Sequence, residues 1–320
     1  MREAVFLRQN EAKWQRYATE PAAGPEELTA RFMELTDDLA YAQTFYPGSP
    51  TTHYLNGLTG KLHQHLYKNK KQTTGRFRRF WQYELPLVVA RHHATLAWAL
   101  GIFLLFTALG TLSAAYDDTF VRVVLGDAYV NKTLENIAHG DPMAIYKGEG
   151  ETSMFLLITT NNIYVSLSVF ATGVLGGLGT VYQLFRNGMM LGSFQYFFYQ
   201  QGVLLPSVLT IWIHGTLEIS AIVLAGGAGL VMGRSMLFPG TYSRAHSFRQ
   251  GARDGIKIAI GLVPIFVVAG FLEGFVTRHT EMPLAASLTI IGTSLTFIIW
   301  YFILYPLRLQ RRAAGPDLLS

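Results

Sequence analysis

Residues 207–233, with the sequence SVLTIWIHGTLEISAIVLAGGAGLVMG, decide what kind of protein this is. The stretch can cross a lipid bilayer as one helix, because a crossing needs only about 20 apolar residues. It nevertheless contains two ionisable residues, His214 and Glu218, four positions apart. On a helix this spacing puts both side chains on one face, one turn apart. Each costs about 2.5–3.5 kcal/mol at membrane depth on insertion scales, so the pair needs a partner or a function.

The composition of the whole chain fits the same class of protein. Of its 320 residues, 50% are hydrophobic and only 15% are charged, whereas a soluble domain carries about 25% charged residues. The net charge of +5 comes from basic residues beside apolar stretches, where they orient a membrane protein, so we expect no nucleic-acid partner. The chain has no cysteine, which excludes disulfides, thiolate metal sites and cysteine nucleophiles. It also lacks nucleotide-binding fingerprints, and we expect no cofactor.

The apolar stretches predict an all-α membrane protein with six transmembrane helices. The predicted spans cover residues 94–115, 155–182, 188–205, 207–233, 258–276 and 285–307. The third span is the least apolar of the six, because it contains Gln195, Gln200 and Gln201. We include it because the charges on either side require an additional crossing.

Those charges follow the pattern of a bacterial inner-membrane protein, whose cytoplasmic loops carry an excess of Lys and Arg. Residues 68–91 are strongly basic and place the start of the chain inside, whereas the loop at residues 116–153 is acidic and is expected outside. Arg186 and the basic loop that begins at Arg234 should both lie inside, so two crossings must separate them. The sequence therefore predicts six spans with both termini in the cytosol.

Three segments follow from these spans. Residues 1–93 are predicted to form a cytosolic helical head, in which apolar residues recur at three- and four-residue steps, as in the stretch 28–45. Residues 94–307 form the transmembrane domain, and residues 308–320 form a basic cytosolic tail.

Glycines recur four residues apart within the predicted spans, at Gly173, Gly177, Gly188, Gly192, Gly229, Gly233, Gly270 and Gly274. Lipid provides no hydrophobic drive between helices, so small residues that let two backbones approach closely become important. We predict helix packing at the first six of these positions and at Gly215, beside His214. The repetition favours a tightly packed bundle or a homo-oligomer.

Several further polar residues in or beside the spans could join His214 and Glu218 in one intramembrane network. They are Asn161, Asn162, Asn187, Gln195 and Glu273. An ionisable or amide side chain in this setting is expected to face protein, because hydrocarbon offers it no hydrogen bond.

Four roles remain open for this polar face. It could hold the bundle together through hydrogen bonds, or it could relay protons or bind an ion or a head group in transport. It could supply two of three zinc ligands, but the spacing gives only two and no His-Glu-x-x-His motif is present, so we predict no metal site. Other chemistry, including intramembrane proteolysis, has little support, because the spans contain no paired aspartates and no Gly-x-Ser-x-Gly motif.

The chain resembles the stage II sporulation protein M family at these positions. In the membrane region the likeness is carried by Asn161-Asn162-Ile163, Gly173, Gly176–Gly179, Asn187-Gly188, Gly192, His214-Gly215-x-x-Glu218-x-x-Ala221 and Gly226–Gly229. In the head it is carried by Phe6–Trp14, Asp38-Leu39-Ala40, Tyr54-Leu55-Asn56-x-Leu58, His63, Leu66 and Tyr67. The resemblance extends over nearly the whole chain, and its most specific part is the His-Gly-x-x-Glu combination in a glycine-rich membrane frame.

The resemblance implies a role in assembling other proteins. In spore formers the founding member of the family is a membrane anchor that recruits two peptidoglycan-degrading partners during engulfment. The longer members, which this chain resembles, also occur in bacteria that do not sporulate, and they accompany RDD-domain membrane proteins and MoxR-type ATPases. We therefore expect a non-enzymatic, lipid-embedded scaffold that recruits or assembles envelope proteins. The alternative is a transporter or channel component that uses the His214/Glu218 face.

Overall fold

The computed structural model describes residues 2–67, 75–144, 150–279 and 282–313. All regular structure in these ranges is helical, which agrees with the predicted all-α class. The chain divides into two compact units, Met1–Arg76 and Phe77–Ser320. The sequence placed a boundary later, at the start of the first span. Some residues used in the sequence-based topology lie outside the described ranges, namely Lys68, Lys70, Lys71, Glu149 and the tail residues 314–320.

The first unit is a three-helix head with its own hydrophobic core. It consists of α1 (Glu3–Thr19), α2 (Pro25–Phe45) and α3 (Pro50–Tyr67). Both α2 and α3 begin with proline, whose fixed φ and missing N–H suit the first turn of a helix. The core is formed by the apolar residues that recur at helical spacing, Phe6, Trp14, Tyr17, Leu35, Leu39, Ala42, Leu55, Leu58 and Leu62.

The second unit begins with a helical segment that precedes the first span. In this segment α4 (Arg76–Arg79) passes through a π-helical turn (Phe80–Glu84) into α5 (Leu85–Arg91). Its apolar residues Leu85, Val88 and Val89 are buried in the core of the membrane unit. The Tyr301 hydroxyl donates a hydrogen bond of 2.7 Å to the Trp81 carbonyl. These contacts explain why the compact unit begins ahead of the first span.

The remaining helices of the second unit follow in the order α6 (His93–Tyr116), α7 (Phe120–Leu125), α8 (Asp127–Ala138), α9 (Glu151–Ala171), α10 (Leu178–Gln200), α11 (Leu204–Leu237), α12 (Arg244–Phe271), α13 (Leu284–Ile299) and α14 (Tyr305–Ala313). A π-helical turn, Leu272–Thr277, continues α12, and another, Trp300–Leu304, joins α13 to α14. Within the described residues, five helices are long and apolar enough to cross a membrane: α6, α9, α11, α12 and the α13–α14 helix. The short helices α7 and α8 lie in the predicted outer loop.

The third predicted span corresponds to α10, which is not among these five. The predicted boundaries of the second and third spans, 155–182 and 188–205, were wrong, because α9 ends in a 3-10 turn and α10 begins at Leu178. Gly176 and Gly177 lie between the two helices with φ of 66° and 87°, a left-handed conformation that favours glycine. With 23 residues, α10 is about 35 Å long, enough to cross a bilayer. Six spans therefore stay a prediction. The length of α10 agrees with a sixth span, whereas its composition is less apolar than that of the five candidate spans.

Contacts between the long helices give their relative directions. The helices α6 and α10 run parallel, since Gly188 lies against Phe103 and Gly192 lies one turn further along, against Thr107. The helices α10 and α11 run antiparallel, as shown by the pairs Thr180–Gly229 and Gly177–Gly233. The helices α9 and α12 are also antiparallel, with the pairs Phe155–Gly274 and Phe170–Gly255. The same holds for α11 and α12, with the pairs Ser235–Gly251 and His214–Thr277. Thus α6, α10 and α12 point one way, whereas α9 and α11 point the other.

Gly192 provides a direct test of the close packing between α6 and α10. A Cβ atom there would overlap the backbone carbonyl of Thr107. Gly192→Ala should therefore push the helices apart and lower the free energy of unfolding by about 1–3 kcal/mol. Thermal unfolding of the purified protein in detergent measures the change. Gly101→Ala is the control, because position 101 on α6 is exposed and has open space around it, and equal midpoints for the two variants would contradict the packing.

Candidate functional site

Three ionisable residues of the membrane unit come together between α11 and α12, and we call them the intramembrane cluster. His214 and Glu218 lie on α11, and Glu273 lies on the π-helical turn that continues α12. One nitrogen of His214 and one carboxylate oxygen of each glutamate all lie within 4.8 Å of one another. His214 Nε2 is 3.7 Å from Glu273 Oε2. Because α11 and α12 are antiparallel, Glu273 lies close to Glu218 and His214, although these residues are 55 and 59 positions earlier in the chain.

Thr277 orients the histidine. Its hydroxyl lies 3.0 Å from His214 Nδ1, and both side chains are buried. With Nδ1 engaged in this way, Nε2 is the ring nitrogen that faces Glu273. Sequence reasoning missed Thr277. The available signal was its position four residues after Glu273. A π-helical turn has more residues per turn than an α-helix, so spacing alone does not show which residues share a face there.

Two asparagines of α9 complete the polar surroundings of Glu218. Asn162 lines the smaller cavity together with Glu218. Asn161 Nδ2 donates to Asn162 Oδ1 at 3.5 Å. Asn162 is buried, so this amide is held between helices and faces no lipid. Asn161 and Asn162 both line the smaller cavity with the cluster residues, and their membership of one polar network stays a prediction.

Two neighbouring cavities share Glu218 as a lining residue. The smaller, of about 440 Å³, is lined by all three cluster residues and by side chains of α7, α8, α9 and α10. The larger, of about 940 Å³, is lined mostly by α9 and α10. The residues that line both are Val124, Asn161, Asn162, Asn187, Met190, Glu218 and Ile222. We call this combined space the α9–α10 cleft.

One face of α10 lines this cleft and the opposite face packs on α6. Gln183, Arg186 and Asn187 lie on the cleft side, where Asn187 Nδ2 donates to the Gln183 carbonyl at 2.8 Å. Gly188 and Gly192 lie against α6. This division accounts for polar residues of α10, because Gln183, Arg186 and Asn187 border the cleft and not the contact with α6.

Two predicted site residues differ from the others. Gln195 lines neither cavity, and its Nε2 is buried without a hydrogen-bond partner. Gly215 borders the smaller cavity, but a Cβ there would meet only side chains of its own helix at 3.9 Å. The other predicted packing glycines, Gly173, Gly177, Gly188, Gly192, Gly229 and Gly233, lie against neighbouring backbone or side-chain atoms.

Tyr129 of α8 lines the smaller cavity from outside the five candidate spans. Burial raises the pKa of its phenol to about 12, so the hydroxyl stays neutral across the physiological pH range. The cavity wall therefore gains a polar group without gaining a charge.

Sequence reasoning also missed a buried acid at the other end of the bundle. Asp254 of α12 is 7% exposed. Its Oδ2 lies 3.0 Å from Arg91 Nη1 and 2.9 Å from His92 Nε2. This group joins the segment before the first span to α12. A single sequence offers no signal for it, because the partners are more than 160 positions apart.

The fold and the cluster define a membrane-embedded helical protein with a polar site inside its bundle. Residues 99–278, more than half of the chain, match the family model described as Stage II sporulation protein M, and the chain belongs to this family. The match contains all three cluster residues. Residues 4–68 match a second family, described as a domain of unknown function (DUF8413), and this match coincides with the three-helix head. Comparisons with curated proteins and with solved structures found no match.

Proposed function

We propose that this protein is a membrane transport component that carries a small cation through the α9–α10 cleft. The observation that supports this function best is that Glu218 and three asparagines line both of two neighbouring cavities. A scaffold needs no such cleft, whereas a route through the membrane needs polar groups at intermediate depth. Glu218 and the amides of Asn161, Asn162 and Asn187 are such groups. The proposed role is non-enzymatic.

The charges around the cleft favour a cation over an anion. The intramembrane cluster contributes two carboxyl groups, and none of the described residues that line the smaller cavity is Lys or Arg. Rings and clusters of carboxylates attract cations into narrow polar spaces. Among the described residues of the cleft wall, Arg186 is the one Lys or Arg; it lines only the larger cavity and lies in the first half of α10.

We also propose that α10 crosses the membrane in addition to the five candidate spans, which gives six spans. In this proposal the membrane is a bacterial inner membrane and the head lies in the cytosol. The alternating helix directions support this, because α10 points the same way as α6 and opposite to α9 and α11. The basic residues Arg91, Arg186 and Arg234 then belong to the same end of the bundle. Positive residues at one end are the usual mark of the cytoplasmic side.

Single-cysteine labelling tests this topology cleanly, because the natural chain has no cysteine. We expect a membrane-impermeant thiol reagent added to intact cells to label Lys132→Cys in α8 and to spare Glu11→Cys in the head. Both positions are exposed. After the membrane is opened, Glu11→Cys should react as well. Labelling of both positions from the same side of the sealed membrane would contradict the proposed topology.

Transport itself is tested in liposomes that contain the purified protein. We expect uptake of at least one of Rb⁺, Mg²⁺ and Mn²⁺ to exceed that of empty liposomes. Asn187→Leu, which replaces a polar wall residue of the cleft with an apolar one, should reduce this uptake by about tenfold, the effect of roughly 1.4 kcal/mol on a barrier. Gly101→Ala, on the exposed side of α6, should transport normally.

Two outcomes would contradict the proposal. One is uptake no faster than in empty liposomes for all three cations, with protein that is folded and correctly inserted. The other is uptake that Asn187→Leu leaves unchanged, because the route would then lie outside the cleft.

A scaffold for envelope proteins is the second candidate, and the separate three-helix head favours it. The head has its own core and its own family match, as expected for a module that docks partners. RDD-domain proteins or MoxR-type ATPases are the partners that the resemblance suggests. If this role is the principal one, Trp14→Ala, which opens the head core, should remove co-purifying membrane partners, and Asn187→Leu should retain them.

A further inference from the structure

We propose that His214, Glu218 and Glu273 bind a divalent transition-metal ion of the Zn²⁺ or Mn²⁺ type. The sequence predicted no metal, because the spacing on α11 supplied two ligands only. The fold supplies the third from α12. This inference names the class of cation for the cleft, and to that extent it rests on the proposed transport function. Binding is nevertheless measurable without transport.

The distances suit a single ion between the two helices. The three ligand atoms lie within 4.8 Å of one another, and His214 Nε2 and Glu273 Oε2 are already 3.7 Å apart. Around a tetrahedral zinc with bonds of about 2.0–2.2 Å, ligand atoms lie about 3.4 Å apart. Rotation of the two flexible glutamate side chains covers the difference, so the backbones of α11 and α12 need not move.

The two carboxylates of the cluster favour the binding of a cation. Two carboxylates this close repel each other strongly inside a low-dielectric bundle. Removal of even one carboxylate from water is costly unless a partner offsets its charge. None of the described residues that line the smaller cavity is Lys or Arg, and the described side chain there that can carry a positive charge is His214, with Nε2 3.7 Å from Glu273 Oε2. A divalent ion balances both carboxylates and leaves the imidazole neutral, the form that binds metals.

The surrounding hydrogen bonds resemble those around known kinds of metal ligands. The ligating nitrogen of a metal-bound histidine is usually fixed by a hydrogen bond at its other nitrogen. Thr277 occupies that position on His214, and Asn162 lines the same cavity as Glu218. The π-helical turn at Leu272–Thr277 carries both Glu273 and Thr277, and such turns occur frequently at functional sites.

The donor set also indicates which metals fit. One imidazole and two carboxylates suit Zn²⁺, Mn²⁺ or Fe²⁺, whereas Mg²⁺ and Ca²⁺ prefer oxygen ligands alone. Three protein ligands leave a coordination position open. The cavity of about 440 Å³ beside the cluster gives water or a second ligand access to it. An open position is typical of ions that exchange or react and not of closed structural sites.

The test measures metal content and metal spectroscopy in the full-length protein in detergent. The protein is stripped with a chelator, equilibrated with Zn²⁺ or Mn²⁺, desalted and analysed by mass spectrometry of the metals. We expect about one ion per chain, retained in excess Mg²⁺, and a more than tenfold weaker affinity for Glu273→Gln and His214→Ala. Glu135→Gln and His139→Ala alter exposed residues of the same types and should bind like the parent.

Co²⁺ substitution keeps the test decisive if a variant is unstable. The parent protein with Co²⁺ should show a visible absorption band of a low-coordinate nitrogen and oxygen site. Glu273→Gln, with the helix content and elution volume of the parent, should lack it. No stoichiometric metal in the parent, or parental affinity in both cluster variants, would overturn the inference. Rb⁺ transport without metal binding would refute only this inference, and metal binding without uptake of any cation would refute only the proposed function.

Discussion

The arrangement of the membrane unit depends on one constraint, the placement of two carboxyl groups and an imidazole at membrane depth. Hydrocarbon cannot solvate these groups, so they must face one another or other polar groups. Helix α11 meets this requirement by lying among α6, α9, α10 and α12, and much of its length is buried. The same helix that carries the cluster is therefore the one around which the others are packed. Thr277, which is hydrogen-bonded to His214, and Asn162, which lines the same cavity as Glu218, extend the polar surroundings of the cluster.

Glycine makes this arrangement geometrically possible. Gly270 lies against Thr159, and Gly274 lies against Phe155, so the end of α12 approaches α9 closely. That approach brings Glu273 to the depth of His214 and the α9 asparagines. On α11, Gly229 and Gly233 allow the same closeness toward α9 and α10 at the opposite end. Because such contacts involve backbone atoms, larger residues at these positions would displace whole helices and separate the cluster.

Much of this could be predicted from the sequence, because local spacing decides it. The helical class, the shared face of His214 and Glu218, and the importance of small residues all follow from periodicity within one segment. The third cluster residue could be named as a candidate but not placed, since its position depends on which helices are neighbours. The group around Asp254 could not be found at all, because ordinary basic residues supply its partners from a distant segment. The predicted span boundaries near Gly176 were wrong for another reason. The sequence stays apolar through this stretch, whereas two glycines in the left-handed conformation interrupt the helix there.

The central claim is that α9 and α10 enclose a water-accessible cleft at membrane depth, with polar side chains in its wall. The accessibility of a cysteine at position 187, in a chain that otherwise has none, tests it most directly. In native membranes we expect Asn187→Cys to react with a small charged thiol reagent. Leu104→Cys, near the middle of α6 and 55% exposed on its outer surface, should not react, because hydrocarbon excludes the reagent and suppresses the thiolate. An unreactive cysteine at position 187, in a folded protein, would contradict the account.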